Sequence, residues 1–461
     1  MKIEGAAALF LETACAVLLA AAGSLGAEAA PLPRAATFVC DATPPPGEVL
    51  VWTTPLAEVA QPLLAKGVVI EDGGERFVLC TFDWCEICND GDLMLRACLA
   101  EAVGIDPARV VVHAVHQHAA AWVDIGANAL LDAAPEPPRR LTDAFMEALK
   151  ARLGAAAKEA LGRMRAFDRA GIGQAQVERV ASTRRLRAEG GGITVRFSGG
   201  GKDPALAAAP EGDIDPFLKT VTLAAGDRPL ARLHFYATHP QTFACTGVAS
   251  SDFVGAAREA LEAKEKVFQL YFTGCAGDVT AGKYNDGSDT ARAGLAARLL
   301  AGLEAAVAAT KYEPIAGGSL RLRTLPLALA CRADKGHTEA DLRARLENPA
   351  GDPGSRVYDG AIALAFVRRA ARPLLTYGLT LGAAEILFLP GEPMLAFQRF
   401  AQDAAPARFV AVAGYCDCGP GYICTDAAFA EGGYEPTAAN VGLGSEALLK
   451  KAIRELLAEG R

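Results

Sequence analysis

Five of the six histidines in this 461-residue chain fall in two short segments. His113, His116 and His118 lie in RVVVHAVHQHA, and His234 and His239 in LARLHFYATHPQT. A scarce metal-ligand type concentrated in this way points to chemistry. RVVVHAVHQH reads as a strand, on which His116 and His118 project to one face and His113 to the other. An H-x-H pair supplies two ligands to a metal, or one ligand and one substrate contact; the alternative is buried histidines bonded to carbonyls. His239 ends a second strand pattern at Pro240, which forces the chain out of the sheet, so it is expected to face a crevice. His234 has the opposite parity and reads as structural. Glu392 in LPGEPM follows directly on a buried apolar run. A carboxylate there is expensive unless it is paired, binds a cation, or serves the first turn of the helix starting near Pro393. His116, His118, His239 and Glu392 are thus candidate ligands of one metal ion, and each segment taken alone leaves its structural role equally open. The segment GCAGDVTAG adds a tight turn whose N–H groups can face an oxyanion. Within it, Asp278 orients a histidine or fixes the turn, and Thr280 contacts the attacking water or the scissile carbonyl.

Each of these motifs begins where an apolar run ends, which bears on the elements that carry them. Residues 35–83 contain short β patterns, and LMLRACLAEAVG reads as a helix closed by Gly104. Further helices are expected over about 140–165, over 290–309 and over the final SEALLKKAIRELLAEG. TVTLAA and LARLHFYATHP form a hairpin about Gly226-Asp227, and VFQLYF, AEILFLP and RFVAVAGY read as buried strands. Residues 199–212 and 414–444 are loop-like. Strands alternating with helices, several of them apolar on both faces, predict an α/β fold with a mixed sheet covered on both sides. In such folds ligands bind beyond the carboxyl ends of the strands.

Composition narrows the function further. The net charge is −8 and the basic residues are dispersed, which argues against nucleic acid as a partner. Residues 1–30, with Lys2, an apolar stretch and small residues at Ala27 to Ala30, resemble a secretory signal. The expected product is an exported protein without a transmembrane span, residues 31–461 forming one large catalytic domain. Among the 12 cysteines, Cys85-x-x-Cys88 and Cys416-x-Cys418 suggest either a structural zinc or, as favoured here, buried small side chains with a disulfide or two.

The ordered set of motifs resembles the neutral (alkaline, non-lysosomal) ceramidase family, in its N-terminal catalytic domain. The T-H-T-H-S-G segment of that family corresponds to Val115-His116-Gln117-His118-Ala119, and V-H-P-T-S to Thr238-His239-Pro240-Gln241-Thr242. N-C-G-D-V-S-P corresponds to Cys275 through Ala281, and P-G-E to Pro390-Gly391-Glu392. Tyr422 and Tyr434 keep the spacing of two family tyrosines, and an N-R-S segment is matched weakly by Thr183-Arg184-Arg185. The resemblance implies a zinc held by His116, His239, Glu392 and Tyr422, with His118, Arg184 and Tyr434 contacting substrate and developing charge. It also implies hydrolysis of an N-acyl amide, from a lipid or a small molecule, by metal-activated water, with His118 donating a proton to the leaving amine. The family serine is Thr280 here, the continuation after His118 is replaced by Ala119 to Trp122, and the chain ends before the C-terminal β-sandwich of full-length members. These departures concern the substrate more than the metal. A metallohydrolase of a small polar amide or ester, or an exported non-catalytic binding protein, are the other readings.

Overall fold

The computed structural model describes residues 30–132, 134–243, 246–348 and 354–458. The expected signal segment lies outside them except for its last residue.

Three sheets of four or five strands frame the fold, beside six two-stranded sheets among the described residues, and each of the three contains one β-α-β crossover. The first has the order Arg165–Ala166, Arg34–Asp41, Leu64–Asp72, Glu75–Phe82, Val110–Ala114. The second runs Phe268–Thr273, Arg228–Tyr236, Phe217–Ala225, Arg169–Gln176, Lys311–Pro314, and the third Arg321–Leu327, Leu374–Leu381, Ala384–Pro390, Phe409–Cys416. Pairing is antiparallel except for one edge pair in each sheet: Glu75–Phe82 with Val110–Ala114, Arg228–Tyr236 with Phe268–Thr273, and Ala384–Pro390 with Phe409–Cys416. A parallel pair needs a crossover, and the helices Asp90–Val103, Asp252–Glu265 and Leu395–Ala404 supply the three.

One face of every sheet turns inward. Val68, Ile70, Phe77 and Leu79 from the first, Leu233, Phe235, Leu270 and Phe272 from the second, and Leu379, Ile386 and Phe388 from the third form one apolar cluster. Phe272 lies at its centre, stacked on Phe235 at 4.9 Å and edge-on to Phe388 at 5.6 Å. The outer faces carry helix pairs: Asp90–Val103 with Asp143–Leu161, Asp252–Glu265 with Asp289–Ala308, and Leu395–Ala404 with Ser445–Ala458. The α/β expectation with mixed sheets holds. Its single sheet covered on both sides becomes three sheets, each covered by helices outside and by the other two inside. Strands packed in this way must be apolar on both faces, which is why the two arrangements look alike in sequence. The three parallel edge strands Val110–Ala114, Phe268–Thr273 and Phe409–Cys416 pack beside one another, so their carboxyl ends open on one region.

Two local expectations change. The strand expected through His118 stops at Ala114, and His116 has φ +77°, outside any strand. The expected disulfides are absent among the described residues: all ten described cysteines are free, eight of them buried. Cys40, Cys80, Cys85, Cys88 and Cys418 are small apolar members of the core, and burial raises their thiol pKa values. Native protein should accordingly expose few thiols to an aromatic disulfide reagent, with the buried set reacting only after denaturation. Rapid labelling of the buried thiols at neutral pH, without unfolding, would contradict this packing. No described helix is long and apolar enough to cross a membrane.

Candidate metal centre

The loops that follow the parallel strands bring His116, His239 and Glu392 together. His116 comes from the loop after Val110–Ala114, His239 from the loop after Arg228–Tyr236, and Glu392 from the segment after Ala384–Pro390. Glu392 Oε2 is 3.1 Å from both His116 Nε2 and His239 Nε2. All three residues are buried, and their ligand atoms lie within 4.8 Å of one another.

The opposite ring nitrogens define the tautomers. His116 Nδ1 lies 2.8 Å from Cys85 O. His239 Nδ1 lies 2.7 Å from Ala276 O and 3.1 Å from Val279 O. A carbonyl only accepts, so both Nδ1 atoms carry protons and both Nε2 lone pairs face Glu392. His116 Nε2 has no hydrogen-bond partner despite the nearby carboxylate. Two lone pairs converging on a carboxylate in a buried site repel one another unless a cation or a shared proton lies between them. This donor set, with imidazoles oriented by backbone carbonyls, fits a zinc ion.

The Glu392 charge favours a positive partner at one of the two facing nitrogens. Burial disfavours the charged form of His116, but the Glu392 carboxylate outweighs it and raises the pKa. At His239 burial and the Arg184 guanidinium prevail, holding the imidazole down to about 3. Glu392, although buried, is held well below the usual carboxylate range by the two histidines.

Helix-start duty, the other reading of Glu392, falls to a different acid. Asp278 Oδ1 accepts from Leu395 N at 2.8 Å, at the start of the helix Leu395–Ala404. Asp278 thus fixes the segment that presents Glu392 and does not bond to a histidine. Gly277 permits the two segments to touch, since a Cβ there would meet Glu392 O at 2.6 Å. Thr280 pairs through its backbone with His239 and bonds its hydroxyl to Ser198 Oγ at 2.8 Å, so its side chain ties down a neighbouring loop.

The other expected site residues surround the cluster. Tyr422 has its hydroxyl 3.4 Å from His239 Nε2 and accepts from Arg184 Nη1 at 2.8 Å. The buried Arg184 guanidinium lies 5.6 Å from the rings of both Tyr422 and Tyr434. The ring of His118 is 4.7 Å from that of His116. Its Nδ1 donates to His116 O at 3.1 Å. Burial, helped by His116 and His239, holds its pKa well below the ordinary imidazole value, so it is neutral with Nε2 as an acceptor.

Several neighbours were not legible in the sequence. Tyr415 stacks on His116 at 4.4 Å with a strained φ of +57°. Half-buried Trp52, φ +57°, meets His118 edge-on at 5.3 Å. Burial, followed by the Glu392 charge, raises the Glu86 carboxyl to about 8. Only the carboxyl-end position of Tyr415 carried a hint; left-handed backbone at non-glycine residues has no sequence mark. Cys85 also lies near His116 and His118, but its buried thiol is held protonated and His116 Nδ1 is already committed to the Cys85 carbonyl.

The two remaining histidines of these segments are structural, as their parity indicated. His113 packs on Phe272 at 5.1 Å. His234 is held by Thr220 Oγ1 at 2.8 Å and Gln269 Oε1 at 2.7 Å, and burial lowers its pKa to about 4. The unfolded chain therefore binds the extra proton first as pH falls. His234 contributes fully above about pH 6.5, and that contribution is lost as pH falls toward 4. In urea titrations, wild type should lose about 1.4 kcal/mol per pH unit relative to His234→Gln across this window. A gap independent of pH would show that His234 is not buried neutral.

No protein-family model and no curated protein matches this chain. Among solved structures, it resembles a neutral ceramidase from Pseudomonas aeruginosa, with a TM-score of 0.68 and 17% sequence identity, over 93% of this chain and 74% of that one. A ceramidase complexed with C2 matches with the same score and identity, over 93% of this chain and 75% of that one. At this identity the likeness establishes the shared fold.

Proposed function

We propose, from a fold shared with neutral ceramidases and a buried His-His-Glu cluster, that this chain is a zinc-dependent hydrolase of an N-acyl amide bond. The observation that carries the reading is the convergence of His116 Nε2, His239 Nε2 and Glu392 Oε2 while both Nδ1 atoms are committed to carbonyls. His116, His239 and Glu392 would hold the metal, with the Tyr422 hydroxyl at the margin. A bound zinc supplies Lewis acidity, lowering the pKa of water and polarising a carbonyl. The chain's own groups do the remainder. Arg184 and Tyr422 present donors to the oxygen that gains charge as the amide carbonyl is attacked. His118, neutral and with Nε2 free, takes a proton from the attacking water and returns it to the leaving amine. Asp278 and Thr280 act at one remove, by holding the Glu392 and His239 segments. Tyr434 lies farther out and contacts substrate. Residues 31–461 form the catalytic unit in this reading, exported through the leader, with an amphiphilic or small N-acyl substrate as the partner.

The test is purified protein, assayed for metal by mass spectrometry and for release of amine from N-acyl compounds. About one zinc per chain and hydrolysis that a chelator abolishes are expected. Protein that binds zinc yet leaves a broad panel of amides and esters intact would point to a binding protein on this scaffold.

A further inference from the structure

Three aromatic rings lead from the surface to the His-His-Glu cluster. Tyr422 is parallel to the His239 imidazole at 6.3 Å, Tyr434 meets Tyr422 edge-on at 5.6 Å, and Phe197 meets Tyr434 edge-on at 5.4 Å. Exposure rises in the same order, from 5% at Tyr422 through half-buried Tyr434 to 52% at Phe197. Phe197 is the one exposed phenylalanine among the described residues.

Its backbone is fixed on both sides. Arg196 is fully buried, its guanidinium donating to the carbonyls of Thr183, Leu206, Ala209 and Glu211. Ser198 Oγ donates to Gln241 Oε1 at 2.6 Å, and Ser198 O accepts from Asn285 Nδ2 at 2.7 Å. Gly282 lies so close that a Cβ there would meet Phe197 O at 2.2 Å. The ring is therefore held outward by a backbone that cannot collapse to cover it. Exposed apolar surface on rigid backbone is a preorganised contact for an apolar ligand. Polarity falls along the ring series: the Arg184 guanidinium lies beside both Tyr422 and Tyr434 at the inner end, and the outer end is a bare phenyl. That gradient suits an amphiphile whose amide sits at the cluster and whose chain runs outward.

We infer that Phe197 and Tyr434 form an aromatic wall for the acyl chain of the substrate, with Phe197 setting the preference for long over short chains. The inference rests on the amide-hydrolase reading for where the amide lies. Octanohydroxamate and acetohydroxamate serve as zinc-binding probes whose association does not depend on turnover. Calorimetric titration of zinc-loaded wild type should show tighter binding of the octanoyl probe. Phe197→Ala should reduce that preference about tenfold, the loss expected for one apolar ring contact. Phe197→Trp should retain it, and neither exposed substitution should change zinc content. Wild type without chain-length preference, or Phe197→Ala with the wild-type preference, overturns the wall. If the preference collapses as expected while wild type hydrolyses no N-acyl amide, the wall stands and the amide-hydrolase reading fails.

Discussion

Under the proposed function, His239→Ala protein should emerge from purification without zinc and with amide hydrolysis lowered about a thousandfold, the cost of losing several kcal/mol of Lewis-acid stabilisation. The remaining ligands, His116 and Glu392, cannot close a tetrahedral site with one imidazole removed. Glu392→Gln should behave similarly, because it removes the buried carboxylate that faces both imidazoles. His116 offers an internal control. Its φ of +77° strains any residue with a Cβ, so His116→Gly should be more stable than His116→Ala by about 1 kcal/mol while both lose metal. Thermal melts with and without excess zinc give a second readout. Wild type should gain stability with zinc by mass action, and the variants should not. Full zinc occupancy in both His116→Ala and His239→Ala would end the assignment.

Asp83→Ala should be the most destabilising single change near the site, by about 3–5 kcal/mol. Asp83 and Arg258 are both buried and joined by two bonds of 2.7 and 2.8 Å. Asp83 also accepts from Leu64 N at 3.0 Å and Gln117 Nε2 at 3.2 Å. Removing it leaves a buried guanidinium with Glu259 at 3.3 Å as its remaining carboxylate, and leaves Gln117, which stands between His116 and His118, with Ser251 O at 3.3 Å as its remaining acceptor. Urea unfolding should show the loss directly, and zinc affinity should fall with it. Asp83→Leu combined with Arg258→Met should recover part of the stability, because the uncompensated charge is gone. Zinc affinity should stay low in that double variant, since Gln117 still lacks the shorter of its two contacts, that to Asp83. A loss below about 1 kcal/mol in Asp83→Ala would mean that the pair is worth no more than a surface bridge.

The two variants separate what the sequence shows from what it hides. His116, His239 and Glu392 stood out because each is a costly residue type at the end of an apolar run, a pattern that needs no knowledge of distant contacts. Asp83 is also an acid at the end of an apolar run, in FVLCTFDW. Its partner lies 175 positions away, and nothing local to either residue announces the pair. The local sequence does not separate metal ligand from helix-start acid at Glu392, because both roles favour a carboxylate at that position. The outcome depended on Asp278, 117 positions distant from the helix it holds.

By itself, then, the sequence determined the alternation of strands and helices, the chemistry-bearing residue types and their position at strand ends. All of these are written in periodicity and local cost. Tertiary structure decided the rest. It set the number of sheets, because strands buried by helices and strands buried by other sheets carry the same apolar pattern. It ended the strand at Ala114 and turned His116 into a left-handed conformation, so the two histidines meet through a loop and not along a pleat. It kept the ten described cysteines free, since burial among apolar neighbours serves a thiol as well as a disulfide would. It also placed Tyr415 against His116, Trp52 against His118 and Phe197 at the outer end of the ring series. Aromatic side chains are apolar wherever they occur, and only a folded backbone determines which of them face a site.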